Sequence, residues 1–182
     1  GNGTDTAAIA VNGKVTVELY STKVINGSVS MYENANFRLE MNDSEIDYKS
    51  DKYCALALEG QGTAIINNSN IHGSINTFAK TNAELDINNS EADYILLHGQ
   101  TWMNMLNSTV RAKDDSCLYL SDDCWSNIMN SKFNGGVYID KKTRTIIQNS
   151  TINRMVVINE AKVTMSNSTV TAHSGFQDQS SC

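Results

Sequence analysis

The sequence contains no proline, no long basic run and no long apolar run. Because a helix that spans a bilayer needs roughly 20 apolar residues, we expect no transmembrane segment. The formal net charge is −6, with 14 Lys and Arg against 20 Asp and Glu, and this argues against nucleic acid as a partner, since phosphate backbones attract clustered cations. At 182 residues the chain has the size of one domain with a proper core. We therefore expect one domain over 1–182, which is a mature chain, a trimmed chain or a fragment of a longer solenoid.

Helical periodicity is also missing. Val, Ile, Leu and Met occur in short runs and never recur at i, i+3, i+4 and i+7 over several turns. Asn is frequent, and turn-forming stretches such as N-N-S, N-S-T, N-G and D-D separate the apolar runs. The sequence thus predicts many short strands joined by tight turns, and no long helix.

One repeated pattern organises the chain: an apolar strand, then Asn-Ser, then another apolar position. Successive serines of this pattern are 18 to 25 residues apart, and most intervals contain a second apolar run such as ALAL from Ala55 or CLYL from Cys117. We therefore expect at least two strands in each repeat. The serines are Ser44, Ser69, Ser90, Ser108, Ser131, Ser150 and Ser168.

Alignment on these serines gives uniform columns. The positions three residues before and two residues after the serine are apolar in every copy, so both rows are predicted to face a common core. The position directly before it is Asn or Asp, which is typical of a turn residue with left-handed geometry, and stacked side chains there would form a ladder. These columns favour an all-β, single-stranded parallel β-helix of about seven to eight coils stacked at about 4.8 Å. A β-sandwich is the alternative, but it does not predict identical columns.

The stretch DDSCLYLSDDCW, residues 114–125, holds two of the four cysteines. CLYL is predicted to be the second strand of its coil, with Leu118 and Leu120 inward and Cys117 and Tyr119 outward. An extended segment from 117 to 124 would span about 23 Å, whereas a disulfide needs Cα atoms within about 7 Å. A disulfide between Cys117 and Cys124 is therefore expected only if the chain turns sharply between them.

The same stretch carries two acidic pairs, Asp114 with Asp115 and Asp122 with Asp123. Calcium requires six to eight oxygen ligands that converge on one point, and a strand separates the two pairs. They are weak candidates for metal ligands, and solvated turns are the simpler interpretation. Nothing in the sequence indicates a cofactor.

A candidate binding surface follows from the column six residues before the serine, which alternation places outward. Trp102 and Trp125 occupy it in consecutive coils, Arg144 and Lys162 continue it, and Asn104 and Asn127 lie outward two residues further along. Exposed aromatic rings with amides and cations form a plausible platform for sugar rings or an anionic polymer. The alternative is that the two rings only shield a sheet face or pack under a loop.

Catalytic motifs are scarce. No nucleophile elbow, Gly-rich phosphate loop or H-E-x-x-H occurs. Polysaccharide-cleaving enzymes need converging carboxylates or a basic residue, and the best pair is Glu84 and Asp86, about 7 Å apart on one strand face. A polysaccharide lyase or glycoside hydrolase therefore stays an alternative to a non-enzymatic function.

The units TWMNMLNSTV, CWSNIMNSKF and AKVTMSNSTV resemble the repeats of β-helical passenger domains in bacterial autotransporter adhesins, over about residues 35–172. The resemblance implies a right-handed parallel β-helix that is secreted or displayed at the bacterial cell surface, contributes to virulence, and acts in cell adhesion or self-association. It implies host glycans, extracellular matrix proteins or a second copy as partners. The polar stretch 173–182 is expected to be a C-terminal tail or cap.

Overall fold

A computed structural model describes residues 7–50, 54–112, 115–172 and 175–177. This part of the chain contains twenty-one strands and no helix. The strands are β1 (Ala7–Val11), β2 (Lys14–Tyr20), β3 (Lys23–Ile25), β4 (Ser28–Met31), β5 (Asn36–Asn42), β6 (Glu45–Asp47), β7 (Leu56–Leu58), β8 (Gln61–Asn67), β9 (Asn70–Thr77), β10 (Asn82–Asn88), β11 (Glu91–Leu97), β12 (Gln100–Leu106), β13 (Thr109–Val110), β14 (Ser116–Leu120), β15 (Trp125–Met129), β16 (Lys132–Ile139), β17 (Arg144–Gln148), β18 (Thr151–Ile158), β19 (Lys162–Ser166), β20 (Thr169–Val170) and β21 (Gly175–Gln177).

The strands form two sheets that wind into a parallel β-helix of about eight turns. Sheet A holds thirteen strands and sheet B holds eight, in the order β2, β5, β8, β10, β12, β15, β17, β19. Each strand of sheet B pairs in parallel with the strand of the next coil. The predicted fold class is confirmed. Among the described residues no helix is long and apolar enough to cross a membrane.

Register in sheet B is continuous from β2 to β19, so equivalent residues of successive coils lie side by side. Met41 pairs with Ile66, and the row continues through the same column to Met165. The apolar columns are buried in the interior coils and only partly buried in the last one, where Met165 and Val170 lie. The columns predicted from the sequence are therefore the physical rows of the core.

Sheet A bends within each coil, which gives the coil its corner. The long strand β9 pairs with β6 in its first half and with β7 in its second half, and β11 pairs in the same way with β13 and β14. Gly73 lies at the bend of β9 with φ 131°, and a Cβ there would lie 2.4 Å from the carbonyl oxygen of Tyr48. Only glycine fits this close approach of two coils.

The turn after each strand of sheet B has one conformation throughout. The residue directly before each repeat serine has φ of 49° to 51°, the left-handed geometry that Asn and Asp tolerate best. This prediction is confirmed. The residues are Asp43, Asn68, Asn89, Asn107, Asn130, Asn149 and Asn167.

A buried ladder runs through these turns, but it is built mainly from the serines. The backbone N–H of each repeat serine from Ser44 to Ser150 donates to the hydroxyl of the serine in the next coil at 3.0 to 3.2 Å. In the predicted asparagine column only Asn107 bonds Asn89 through side chains, at 3.1 Å. The asparagine ladder expected in this column is thus largely wrong. Asparagine side chains pair from coil to coil one residue earlier instead, where Asn67 donates to Asn42 at 2.9 Å and Asn88 donates to Asn67 at 3.0 Å. The serine hydroxyls satisfy buried amides that would otherwise have no partner.

The predicted disulfide is not formed. Cys117 and Cys124 are free and fully buried in the core. The Cys117 thiol donates to the carbonyl of Gly136 in the following coil at 3.5 Å, whereas the Cys124 thiol donates to Ser121 at 2.9 Å. The two sulfurs point to different backbone groups, so the sharp turn through 121–123 does not bring them together. Cys117 is also not outward as predicted, while Leu118 and Leu120 are buried as expected.

Other expectations fall on undescribed parts of the chain. Asp114 and the polar stretch 173–182, apart from the course of β21, lie outside the described residues.

Candidate functional site: a lateral groove on sheet B

A groove runs along the outer face of sheet B across four coils. Its volume is about 390 Å³, and it is lined by outward side chains of β12, β15, β17 and β19. We call it the lateral groove. One wall is the row that the sequence singled out, Trp102, Trp125, Arg144 and Lys162, and the other is the row two residues further along, Asn104, Asn127, Ile146 and Thr164. The structure therefore brings together all six predicted ligand-binding residues.

The two walls follow from strand alternation. Residues i and i+2 of a strand point to the same face about 7 Å apart, and the inward residue between them leaves only backbone at the floor. Beneath the groove two of these inward residues are hydroxylic, and Ser126 bonds Thr145 side chain to side chain at 2.8 Å in the core. This bond satisfies two buried hydroxyls and ties β15 to β17 under the groove.

The tryptophans stack on each other. Trp102 and Trp125 are register partners, and their rings are nearly parallel, with an interplanar angle of 8° and centroids 5.1 Å apart. The Arg144 guanidinium carbon lies 4.8 Å from the centroid of the Trp125 ring. Since Trp125 lies between Trp102 and Arg144 in the sheet, both of its faces are covered. The rings therefore offer their edges and the outer face of Trp102 to a ligand, rather than both faces of each ring.

The polar wall has unused hydrogen-bonding capacity. Asn104 donates its amide to Asp86 at 2.9 Å, which leaves its carbonyl oxygen open. Asn127 and Thr164 are exposed, and their side chains form no hydrogen bond with any residue that the structure describes. Amide and hydroxyl groups of this kind can both donate and accept.

Exposed apolar area is concentrated here. Trp102, Trp125 and Ile146 are 55%, 41% and 47% exposed, and Leu106, which does not line the groove, is exposed at the end of β12. In the described chain these four are half of the large apolar residues that remain exposed, and they occur on three successive strands. Contiguous exposed apolar surface marks interaction sites more often than scattered residues do. Ile146 was missed as a site residue, although it stands in a column that the sequence alignment displays.

The candidate catalytic carboxylates lie beside the lateral groove rather than in it. Glu84 and Asp86 are the register partners of Trp102 and Asn104 on β10, and neither lines the groove. Glu84 is exposed and Asp86 is half-buried and bound to Asn104. The coil on their other side supplies Thr63 and Ile65 in the same positions, so neighbouring strands add no third carboxylate or base.

The described acidic residues around CLYL, which are Asp115, Asp122 and Asp123, lie at opposite ends of β14. Asp115 is an exposed turn residue before β14, and Asp122 and Asp123 follow this strand. Asp122 contacts Lys141 at 2.5 Å, His98 at 3.3 Å and the backbone N–H of Gly99 at 3.3 Å. The hydrogen bond from Lys141 is the main reason that the pKa of Asp122 is lowered. In the described part of the chain no three His, Cys, Asp or Glu side chains are grouped so that they could hold a metal ion.

The fold and the lateral groove define a class of protein, a β-solenoid with an amphipathic surface groove. No protein-family model matches the chain, and neither a curated protein nor a solved structure shows significant similarity to it.

Proposed function

We propose that this protein is a non-enzymatic adhesin or scaffold that binds a glycan through the lateral groove. The observation that carries the proposal is the combination of walls in one groove: the stacked pair Trp102 and Trp125 opposite the open amide of Asn127. Sugars present apolar C–H patches and hydroxyl groups together, and a binding site for them needs aromatic area beside donors and acceptors.

The shape of the site favours a chain over a single sugar. The lateral groove crosses four coils in a straight line because the register of sheet B is continuous there. At about 4.8 Å per coil, four rows span about 14 Å between the first and the last. A linear polymer parallel to the solenoid axis would contact aromatic side chains on β12 and β15 and cations on β17 and β19.

Location and partner are part of the same proposal. The resemblance to autotransporter passengers supports display at a bacterial cell surface or secretion, where host glycans are accessible. Extracellular matrix proteins and a second copy of the chain are the other partners that an exposed lateral face would suit, and the experiment below separates them.

The test is retention of ligands by the immobilised protein. A panel of glycosaminoglycans, pectins, neutral polysaccharides and host glycoproteins is applied, and both the retained amount and the ligand mass are recorded. The variant Trp102→Ala with Trp125→Ala is compared with Tyr32→Ala with Phe78→Ala, which removes two exposed aromatic residues away from the groove. We expect an intact glycan to be retained by the parent and the control and lost by the tryptophan variant.

Other outcomes identify other functions. If the glycan that is eluted has a lower mass than the glycan that was applied, the protein is an enzyme. The variants Glu84→Gln and Asp86→Asn then test the carboxylates beside the groove. If only deglycosylated matrix proteins are retained, the partner is a matrix protein and not a glycan. If the protein associates with itself and the tryptophan variant does not, the partner is a second copy of the chain. Equal retention by the tryptophan variant and the parent refutes the lateral groove as the site.

A further inference from the structure

The two cations of the lateral groove have no anionic partner in the part of the chain that the structure describes. Arg144 and Lys162 are register neighbours on β17 and β19, and no carboxylate of the described chain forms an ion pair with either. Like charges on neighbouring strands repel each other. Five other cations, Lys23, Arg38, Lys80, Arg111 and Lys141, each contact a carboxylate, whereas the exposed Lys14, Lys49, Lys132 and Lys142 form no ion pair within the described residues.

The lining of the groove has the opposite charge to the whole chain. It includes these two cations and no carboxylate, while the formal net charge of the protein is −6. A concave surface lined by one sign of charge raises the local concentration of ligands of the other sign. An anionic ligand is therefore favoured at the end of the groove that β17 and β19 form.

Arg144 is held so that it can bind such an anion. Its guanidinium carbon lies 4.8 Å from the centroid of the Trp125 ring, and its N–H groups form no hydrogen bond within the described residues. A guanidinium binds carboxylate or sulfate through two parallel hydrogen bonds. The stack reduces the rotamer freedom that Arg144 would otherwise lose on binding.

We infer that the ligand of the lateral groove is an acidic polysaccharide, whose carboxylate or sulfate groups bind Arg144 and Lys162 while its sugar rings contact Trp102 and Trp125. The inference rests on the proposed glycan-binding function and specifies its ligand. Anionic groups that lie within reach of adjacent coils would bind the two cations at the same time, and Asn127 would bind hydroxyl groups of the sugar between them.

A single-stranded nucleic acid is the competing polyanion, and the site suits it less well. Bases bind by stacking on open aromatic faces, but the facing surfaces of Trp102 and Trp125 are closed at 5.1 Å, and Arg144 covers the far face of Trp125. Two cations also provide few phosphate contacts.

The test measures the affinity of the full chain for polygalacturonate, for the same polymer after reduction of its carboxyl groups, and for heparin. Arg144→Gln with Lys162→Gln is compared with Lys14→Gln with Lys132→Gln, which removes the same charge from two exposed lysines outside the groove. We expect the groove variant to bind at least one acidic polymer roughly tenfold more weakly or worse, because a charge-assisted hydrogen bond contributes about that factor. The control should bind like the parent, and added salt should weaken the parent.

The result separates the inference from the proposed function. If the reduced neutral polymer binds as tightly as the acidic one and only the tryptophan variant loses it, the inference is wrong and glycan binding stands. If no polysaccharide is bound, both are wrong. A single-stranded oligonucleotide that binds more tightly than either acidic polymer also overturns the inference. Thermal unfolding of each variant verifies that the fold is retained.

Discussion

Trp102 and Trp125 occupy equivalent positions in adjacent coils, and their rings stack at a centroid distance of 5.1 Å. The stack is a direct product of parallel, in-register pairing, because the coil spacing of about 4.8 Å is close to the separation at which aromatic rings attract each other. The same pairing places Arg144 on the next row, over Trp125. Parallel, in-register strand pairing therefore produces both the solenoid and the row of side chains that forms the site.

The stack should stabilise the fold measurably. We expect a coupling free energy of about 0.5 to 1.5 kcal/mol between the two rings, obtained from urea unfolding of Trp102→Ala, Trp125→Ala and the double variant. Additive effects of the two single substitutions would mean that the rings lie side by side without attraction. Trp102 paired with Ile146 in a second cycle is the control, since these residues lie two coils apart.

We expect the loss of one serine hydroxyl from the ladder to lower the free energy of unfolding by more than the coupling between the two tryptophan rings. Ser108→Ala removes the hydroxyl that accepts the Ser90 N–H at 3.1 Å, and this amide is buried. We expect a loss of about 1 to 3 kcal/mol in the free energy of unfolding, the usual cost of a buried group without a partner, together with faster hydrogen exchange of the Ser90 amide.

Ser166→Ala is the control for this substitution, because Ser166 is exposed and its hydroxyl forms no hydrogen bond within the described residues. Its effect should stay within about 0.5 kcal/mol. Equal effects of the two substitutions would show that the ladder contributes nothing beyond the serine side chain itself.

The turn position directly before each repeat serine allows a test of backbone conformation without a change in side-chain hydrogen bonds. Asn149 has φ 50°, and its side chain forms no hydrogen bond with the described chain. Asn149→Ala should lower the free energy of unfolding by about 1 kcal/mol, because a Cβ without a polar group disfavours left-handed geometry. Asn149→Gly should be close to the parent, since glycine adopts this geometry freely. Glycine and alanine variants of equal stability would argue against left-handed strain at this turn.

Much of the fold can be predicted from the sequence because every coil of a solenoid repeats the same pattern of strands and turns. The columns that contain Met105 and Val110 are apolar in every copy, and in the structure they are rows of the core. Register then follows, so the neighbours Trp102 and Trp125 can be placed before any coordinates are known.

Prediction fails where the repeat is interrupted. Strand alternation placed Cys117 outward, but the register of β14 shifts between Ser116 and Leu118, and Cys117 and Leu118 are both buried. Six residues of the groove could be predicted, but Ile146 was missed, and the geometry of the groove could not be predicted. Whether Trp125 offers an open face depends on the rotamer of Arg144, which lies over it. The aligned sequence does not specify that rotamer.

The buried thiols lead to a prediction about reactivity. Burial raises the pKa of Cys117 to about 11 and that of Cys124 to about 12, so at about pH 8 almost none of either exists as the reactive thiolate. In the folded protein we expect iodoacetamide to leave both unmodified, and to label both once the chain is unfolded in denaturant without reductant. Half-buried Cys54 is the internal control and should react earlier. A proteolytic peptide in which Cys117 and Cys124 are joined by an S–S bond would show that the disulfide forms after all. Rapid labelling of either thiol in the folded state would contradict its place in the core.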